Sequence, residues 1–543
     1  MPSALPDGEP VPTDGALPAS ALAGAADRPL GFYLHVPYCA TRCGYCDFNT
    51  YTATELRGTG GVLASRDNYA DTLIDEIRLA RKVLGDDPRE VRTVFVGGGT
   101  PTLLAAGDLV RMLAAIRDEF GLAADAEVTT EANPESVDPA YLATLRQGGF
   151  NRISFGMQSA RQHVLKVLDR THTPGRPEAC VAEARGVGFE HVNLDLIYGT
   201  PGESDDDWRA TLDSALGAGP DHISAYALIV EEGTQLARRI RRGEVPMTDD
   251  DVHADRYLIA EEAMAAAGFD WYEVSNWATS AAGRCLHNEL YWRGADWWGA
   301  GPGAHSHVGG VRWWNVKHPG AYAAALAGGR SPGAGREVLS DEDRRVERIL
   351  LELRLREGAP LTLLRPDRAR GLAPGPVGRA ASGGPVRAGA RVLTLRGRLL
   401  ADAVVRDLVD VRGPVDRGGV VDGGGSGEPP RPPPDAAASG GCAGGGYQLV
   451  RAHLVSGAAG SGAALGVSSS VVRPPGFGRC LSRGCAGVGT SVVRAHPVSG
   501  AAGPGAPLEA SSSTLRPHPP PDAAASGAPP GVSSSTLRPH PAP

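Results

Sequence analysis

Short apolar runs alternate with longer amphipathic segments from Gly31 to about Glu232. In the first amphipathic segment, Ala70, Leu73 and Ile77 recur at the spacing of one helix face, with charged residues opposite. The apolar runs are typical of strands in a parallel sheet, and they span Phe32–Val36, Val91–Val96, Glu127–Glu131, Arg152–Gln158, His191–Ile197 and His222–Ile229. Six such units predict an α/β fold, a partial TIM-like (β/α)6 barrel rather than a closed eight-stranded one.

The regular alternation stops after Glu232, and the composition of the chain changes. The next region is rich in Trp and Gly and predicts an α+β continuation of the barrel. An amphipathic segment within 337–358, followed by a strand and a helix over Val392–Leu408, predicts a small helical C-terminal domain. The predicted domains are a disordered leader (1–30), the barrel core (31–232), the continuation (233–335), the C-terminal helical domain (336–409, irregular over 365–390) and a disordered low-complexity tail (410–543).

Composition and charge exclude several classes of protein. The stretch from Asp410 to Pro543 has no Lys, Ile, Met or Trp, and its near-repeats share no fixed period, so it predicts neither a core nor a solenoid. A net charge of -8 gives no basic surface for a dedicated nucleic-acid binder. No basic residue precedes Arg28 and no apolar run reaches membrane-spanning length. We therefore expect a cytoplasmic protein with no signal peptide and no integral membrane segment.

Three of the eight cysteines lie together in Cys39-Ala-Thr-Arg-Cys43-Gly-Tyr-Cys46, directly after the first predicted strand. In a cytosolic protein such a triplet indicates metal binding. A 4Fe-4S cluster held by three thiolates leaves one iron open, and that iron can chelate S-adenosylmethionine (SAM) and pass it an electron. Structural zinc is the alternative, but a closed zinc site uses four protein ligands, and no fourth Cys or His follows closely after Cys46.

A glycine-rich turn, Gly97-Gly98-Gly99-Thr100-Pro101-Thr102, follows the second predicted strand. Glycines allow the backbone to approach a ligand closely, so main-chain groups there can bind the methionyl part of SAM. A glycine run alone predicts only a turn. Its position one β/α unit after the cysteines makes the ligand interpretation the stronger one.

These motifs resemble the radical-SAM superfamily, whose cysteines have this spacing, and later segments resemble its branch of coproporphyrinogen dehydrogenases and HemW heme chaperones. The matching segments begin at Tyr33, Glu131, Asn151, Arg170 and Asn193. The resemblance implies a radical-SAM core over 31–232, with a 4Fe-4S cluster on Cys39, Cys43 and Cys46. It also implies a SAM site lined by Tyr33, Tyr45, Gly98, Gly99, Thr100, Glu131, Gln158, Arg170 and Asp195. The carboxylates and the amide suit ribose hydroxyls and an ammonium group, and Arg170 suits a carboxylate.

Two features separate the branches of this family. Coproporphyrinogen dehydrogenases carry a further Cys two residues after the third ligand, where this chain has Phe48. His287-Asn-Glu-Leu-Tyr-Trp292 resembles the His-Asn-x-x-Tyr-Trp segment of the heme chaperones. A neutral imidazole is a good axial ligand for heme iron, so the resemblance implies heme on His287. Cys285, His305 and His307 are alternative ligands nearby, and a hydrogen-bonded structural histidine is the other interpretation.

Two functions follow from the resemblance. The first is a heme chaperone that delivers heme to apo-hemoproteins, such as those of the respiratory chain, with the cluster and SAM as cofactors and with a homodimer as one assembly. The second is an enzyme, an oxygen-independent coproporphyrinogen III dehydrogenase. Phe48 and the His287 segment favour the first. The complete set of SAM residues keeps the second open.

Overall fold

The computed structural model describes residues 8–57, 65–364, 377–379, 390–409, 451–452 and 467–468. The chain divides into two units, Met1–Val472 and Arg473–Pro543, and the second lies outside the described residues. The expected disorder of 410–543 also falls outside them, apart from two short paired strands. Among the described helices, none has the length and the apolar character needed to cross a membrane.

Strands of the barrel form one large mixed sheet. All the strands, in chain order, are β1 Leu30–Val36, β2 Tyr38–Cys39, β3 Tyr51–Thr52, β4 Val91–Gly98, β5 Leu122–Ala132, β6 Arg152–Gln158, β7 His191–Tyr198, β8 His222–Ala227, β9 Asp270–Glu273, β10 Asn276–Ala278, β11 Asp296–Ala300, β12 His305–Val308, β13 Val311–Asn315, β14 Gly333–Val338, β15 Ala359–Pro360, β16 Val377–Arg379, β17 Ala390–Leu393, β18 Arg451–Ala452 and β19 Val467–Ser468. The order in the 12-stranded sheet is β14-β13-β12-β11-β1-β4-β5-β6-β7-β8-β10-β9. Neighbours from β11 to β8 are parallel, and the flanking strands are antiparallel.

Helices connect and cover these strands. Their bounds are Ala19–Leu22, Ala53–Leu56, Tyr69–Leu84, Ala106–Phe120, Pro139–Gly148, Gln162–Val167, Arg176–Gly186, Asp205–Gly217, Gln235–Arg241, Asp250–Ala266, Leu286–Trp292, Pro319–Ala327, Asp341–Glu352, Leu395–Leu399 and Ala401–Val409. All residues of β1 and β6 are buried, as expected for strands that are covered on both faces. The helix Tyr69–Leu84 buries Leu73 and Ile77 in the same core.

The predicted α/β class and the six predicted strands are confirmed, as β1, β4, β5, β6, β7 and β8. The structure adds a seventh parallel strand, β11, which pairs with the other side of β1. Its five residues are all buried. The sequence did not predict it because a short run of Trp, Gly and Ala inside a Gly-rich region has neither the alternation nor the β-branched residues of a strand.

Residues of the predicted continuation, 233–335, extend both edges of the large sheet. β10 and β9 follow β8 on one edge, and β11 to β14 follow β1 on the other. A separate core lies between the helices Asp341–Glu352 and Ala401–Val409 and a small antiparallel sheet, β15-β17-β16. The C-terminal region therefore contains a sheet as well as the expected helices. Most of the irregular segment 365–390 lies outside the described residues, and the domain boundaries stay predictions.

The structure differs from the expectation of a disordered leader over residues 8–30. Glu9 and Arg336 exchange backbone hydrogen bonds of 2.9 Å, so this segment adds to the edge strand β14. Val11 and Leu17 pack against the main core. Arg28 pairs with the fully buried carboxylate of Asp296 at 2.9 Å. Composition did not reveal this because backbone pairing with an edge strand needs no apolar periodicity.

Candidate functional site

The three clustered cysteines lie in a loop at the carboxyl end of β1, which we call the cysteine loop (39–46). Cys39 ends β2, which pairs with β3, and the backbone N–H of Cys46 donates to the carbonyl of Cys43 at 3.2 Å. Gly44 anchors the loop on both sides. Its N–H donates to the carbonyl of Leu168 at 3.2 Å, and its carbonyl accepts from Leu236 at 2.7 Å. The loop is therefore fixed by contacts from two later helices.

All three thiols of the cysteine loop are free and partly buried. Burial, with a smaller effect from the neighbouring Cys43 thiol, raises the pKa of Cys39 to about 11. Burial also raises the pKa of Cys46 well above its usual value, with added effects from Cys43 and Cys39. Raised pKa values at Cys39 and Cys46 disfavour free thiolates there, and a cationic metal centre would favour them by binding the deprotonated sulfurs.

The three thiols of the cysteine loop match the number of protein ligands of a 4Fe-4S cluster with one open iron. Structural zinc needs four ligands that converge on one point, whereas three cluster ligands bind separate irons and stand apart. The residues of the cysteine loop therefore fit a 4Fe-4S cluster.

The glycine turn at the end of β4 lies directly against the cysteine loop. The N–H of Gly99 donates to the carbonyl of Val36 at 2.7 Å, and the N–H of Thr100 donates to that of Tyr38 at 2.7 Å. A Cβ on Gly99 would lie 2.5 Å from the Tyr38 carbonyl oxygen and 3.0 Å from the Cys39 sulfur. Gly98 has a φ of +116°. Only glycine fits both positions without strain.

A cleft beside this turn contains five of the residues predicted to bind SAM. It is lined by Gly99, Thr100, Glu131, Arg170 and Asp195, together with Pro101, Ala132, Asn133, Ser154 and Gly156. Gly98 adjoins it, because its N–H donates to the Glu131 carboxylate at 3.3 Å. The structure therefore brings six of the nine predicted residues together.

The other three predicted SAM residues lie around the cleft without lining it. Tyr45, within the cysteine loop, packs against a small apolar cluster that includes Val164 and Leu168. Gln158 is fully buried at the end of β6 with a φ of 63°. Tyr33 points into the barrel, where its hydroxyl lies 2.9 Å from Nδ1 of His35. Their roles stay predictions.

Charge in the cleft comes from Arg170 and two buried carboxyl groups. Nη1 of Arg170 lies 3.6 Å from the Cys43 sulfur, and Nη2 donates to the carbonyl of Gly156 at 2.8 Å. Burial raises the pKa of Asp195, and hydrogen bonds from Ser154 and Asn193 oppose that rise. An arginine beside hydrogen-bonded carboxylates can hold a ligand that carries both a carboxylate and polar hydroxyls.

Sequence reasoning missed Ser154 and Asn193, which orient Asp195. The signal was present, because Asn193 and Asp195 are two positions apart in β7 and therefore face the same side of the sheet. Ser154 lies on the neighbouring strand, opposite Asn193 in the register. Cross-strand neighbours of this kind become visible only when the strand order is known.

His287 lies at the end of the barrel opposite the cysteine loop. Its ring is 5.3 Å from that of Phe95, and its Nδ1 lies 2.8 Å from the hydroxyl of Thr93, near the start of β4. The step from Thr93 to Gly97 covers about 13 Å, at a rise of about 3.3 Å per residue. The helix Leu286–Trp292 therefore closes the amino-terminal end of the barrel, and we call it the plug helix.

The plug helix is held firmly in place. Nε2 of His287 lies 2.7 Å from the hydroxyl of Tyr291, so both ring nitrogens have partners. The Glu127 carboxylate accepts the backbone N–H groups of Leu286 and His287, each at 2.9 Å. Burial lowers the pKa of His287 to about 3. The imidazole is neutral, but ligation of heme by either nitrogen requires one hydrogen bond to break.

The alternative heme ligands near His287 are also engaged or enclosed. The Cys285 sulfur lies 3.5 Å from Oε1 of Glu127 inside the barrel. His307 has partners on both ring nitrogens, the carbonyl of Ala295 at 2.9 Å and the N–H of Gly310 at 3.2 Å. His305 packs its ring against Trp314, with centroids 5.8 Å apart.

Comparison with known proteins adds independent information. A family model described as the Radical SAM superfamily matches residues 33–215. The heme chaperone HemW of Mycobacterium tuberculosis (strain H37Rv) is 55% identical over 390 residues, which cover 72% of this chain and 97% of that protein. The heme chaperone HemW of Escherichia coli (strain K12) is 35% identical over 337 residues, which cover 61% and 84% of the two chains.

Among solved structures, the coproporphyrinogen III oxidase HemN from Escherichia coli, a radical SAM enzyme, matches with a TM-score of 0.60 and 23% identity. The match covers 73% of this chain and 94% of that one. At this identity the likeness establishes the fold alone. The two sequence relatives, by contrast, match over 97% and 84% of their own length.

Proposed function

The chain belongs to the heme chaperone HemW family of radical-SAM proteins, and from that premise we propose that it binds heme and delivers it to apo-hemoproteins. The observation that carries the proposal is the 55% identity to a heme chaperone over 97% of that protein's length. Hemoproteins of the respiratory chain are the expected acceptors, and a homodimer is the expected assembly. The cytoplasmic location expected from the sequence stays a prediction.

Cys39, Cys43 and Cys46 would hold the 4Fe-4S cluster, because their sulfurs share one partly buried loop and no other described cysteine lies in it. Gly99 and Thr100 would bind the methionyl part of SAM through their backbone. Arg170 would pair with its carboxylate, and Asp195 and Glu131 would accept from its hydroxyl and ammonium groups. A cluster with one open iron supplies one-electron chemistry to the SAM that it binds.

Phe48 supports the chaperone rather than the dehydrogenase. It lies where coproporphyrinogen dehydrogenases are expected to carry a further cysteine, and its backbone N–H is bonded to the Cys46 sulfur. A phenylalanine ring offers no thiol for redox or acid-base work. The alternative function, oxygen-independent coproporphyrinogen III dehydrogenase, is favoured by one observation, the cleft that groups Gly99, Arg170 and Asp195 beside the cysteine loop.

One parallel experiment separates the two functions. The full chain, with its cluster reconstituted without oxygen, is titrated with hemin and is also incubated with coproporphyrinogen III, SAM and a reductant. We expect a saturable hemin spectrum at one site and no protoporphyrinogen IX. Conversion of coproporphyrinogen III over many turnovers, without hemin binding, would make the dehydrogenase the correct assignment.

A further inference from the structure

The loop that joins β11 to β12, which we call the crossing loop (301–304), lies against the residues that follow the cysteine loop. Gly301 and Gly303 both have a positive φ, +113° and +76°. A Cβ on Gly303 would lie 2.6 Å from Nδ2 of Asn49, and a Cβ on Gly301 would lie 2.5 Å from the carbonyl oxygen of His35. Glycine at both positions therefore allows the two chain segments to cross in close contact.

Asn49 ties the crossing loop to the cysteine loop. It follows Cys46 by three positions and is only 8% exposed. Nδ2 of Asn49 donates to the carbonyls of Pro302 and Lys317, each at 2.8 Å. Both amide hydrogens are therefore used on the continuation of the barrel, so one side chain joins segments of the chain that lie far apart in sequence.

The backbone of Asn49 extends this connection into β1. Its carbonyl oxygen lies 2.9 Å from Nε2 of His35, and Nδ1 of His35 lies 2.9 Å from the hydroxyl of Tyr33. Burial lowers the pKa of His35 to about 4, so the ring is neutral at pH 7. It therefore donates from Nε2 to Asn49 and accepts from Tyr33 at Nδ1. Asn49 thus contacts the crossing loop and, through His35, one of the predicted SAM residues.

The other end of β11 meets the plug helix. The hydroxyl of Tyr291 lies 2.7 Å from Nε2 of His287, and the ring of Tyr291 packs edge-on against Trp297 in β11, with centroids 4.7 Å apart. All five residues of β11 are buried, and the strand is paired with β1. Five residues span about 16 Å at a rise of about 3.3 Å per residue. A short, firmly packed strand therefore connects the plug helix with the crossing loop.

We propose that Asn49 is a positioning residue that couples the plug helix to the cluster and SAM sites through β11. The inference rests on the proposed function, because it takes the plug helix as the place where heme is held. Ligation of heme by His287 has to break the bond of that ring to Tyr291 or to Thr93. Release of Tyr291 changes its packing on Trp297, and a rigid strand with fixed contacts at both ends can carry such a displacement. Asn49 would pass it to the cysteine loop.

A thermodynamic cycle on the reconstituted full chain tests the coupling, with the cluster kept oxidised so that SAM is not cleaved. SAM affinity is measured with and without saturating hemin, and hemin affinity with and without SAM. We expect the wild type to show a change of at least about fivefold, equal in both directions because binding linkage is reciprocal. Asn49→Ala should still bind hemin but lose this change, since it removes both donors to Pro302 and Lys317.

Asn151→Ala is the matched control. The side chain of Asn151 also joins two backbone groups, since it donates to the carbonyl of Ala126 at 2.9 Å and accepts from the N–H of Val128 at 2.8 Å. None of these residues belongs to the crossing loop or the cysteine loop, so this variant should keep the wild-type coupling. The electron paramagnetic resonance spectrum of the reduced cluster should likewise change in Asn49→Ala alone. Equal loss of coupling in both variants would overturn the inference.

Hydrogen exchange of the wild-type chain tests the same connection without a variant, in case Asn49→Ala does not fold. Hemin should change the exchange rates in the crossing loop and over 46–52, and should leave those of the helix Ala106–Phe120 unchanged. Unchanged exchange in the crossing loop, or equal SAM affinity with and without hemin in the wild type, would also overturn the inference. A wild type that binds no hemin would instead refute the proposed function, which is a separate result.

Discussion

Nδ1 of His287 lies 2.8 Å from the hydroxyl oxygen of Thr93, although 194 positions separate the two residues in the sequence. Together with the bond from Nε2 to Tyr291, this contact leaves neither ring nitrogen free. The segment that most resembles a heme-binding motif is therefore also a structural part of the barrel. Loss of the hydrogen bond between His287 and Thr93 should therefore change the stability of the protein.

Thr93→Val should lower the free energy of unfolding by about 1 to 3 kcal/mol, because it leaves a buried ring nitrogen of His287 without a partner. Urea unfolding followed by far-UV circular dichroism measures the change. Thr144→Val is the control, since Thr144 is exposed on the helix Pro139–Gly148 and should change stability by less than about 0.5 kcal/mol. Equal effects in the two variants would mean that the bond to His287 contributes nothing.

Gly99→Ala should reduce both cluster occupancy and SAM binding. The added methyl group would lie 2.5 Å from the Tyr38 carbonyl oxygen and 3.0 Å from the Cys39 sulfur, so the cysteine loop has to move. Iron content and isothermal titration with SAM measure the loss. Gly107→Ala, where a Cβ meets nothing within 4 Å, should leave both unchanged. Full SAM affinity in Gly99→Ala would show that the turn does not contact SAM.

Cys43→Ser should remove the iron-sulfur chromophore of the reconstituted protein, because each thiol supplies one of the three protein bonds to the cluster. Iron and sulfide analysis checks the result, together with the visible spectrum. Cys180→Ser is the matched control, since Cys180 is buried in the helix Arg176–Gly186, away from the cysteine loop. Zinc instead of iron in the wild type would refute the cluster assignment.

Glu76 should make stability depend on pH between about 4.5 and 7. Burial raises its pKa from 4.5 to about 7, against hydrogen bonds from Tyr322, Gly301 and Asn315. The folded state therefore holds this proton to higher pH than the unfolded state, so the contribution of Glu76 to stability is fully present below pH 4.5 and is lost as pH rises to about 7. Glu76→Gln cannot ionise and should show a flatter profile in urea titrations at several pH values. Parallel profiles for the two proteins would contradict this.

Deletion of 410–543 should leave the melting temperature and the cluster content unchanged. The deleted stretch has no Lys, Ile, Met or Trp and little large apolar surface to dock on the core. Differential scanning fluorimetry and iron analysis of the truncated chain provide the check. A deletion that also removes Ala401–Val409 is the contrasting variant, because Val404, Val405 and Leu408 belong to the C-terminal core. Loss of folded protein after deletion of 410–543 would refute the prediction.

Local signals in the sequence were sufficient for the parallel core and for the cysteine loop. The parallel strands are short runs rich in apolar residues that alternate with amphipathic segments, and the cysteine spacing is a local pattern. The position of the plug helix was not predictable in this way. Its contacts with Thr93 and Glu127 join residues far apart in the chain, and a resemblance to a heme segment carries no information about burial.

The order of residues 8–30 was missed because an edge strand can recruit a segment of almost any composition.

The plug helix covers the amino-terminal end of the barrel. Its side chains His287 and Tyr291 pack there, each no more than 3% exposed. The cysteine loop and the glycine turn lie at the other end. The two ends of the barrel are therefore unequal, because packed side chains fill the amino-terminal end while the candidate cofactor residues gather at the carboxyl end. A ligand that contacts these residues is expected to approach from the carboxyl end.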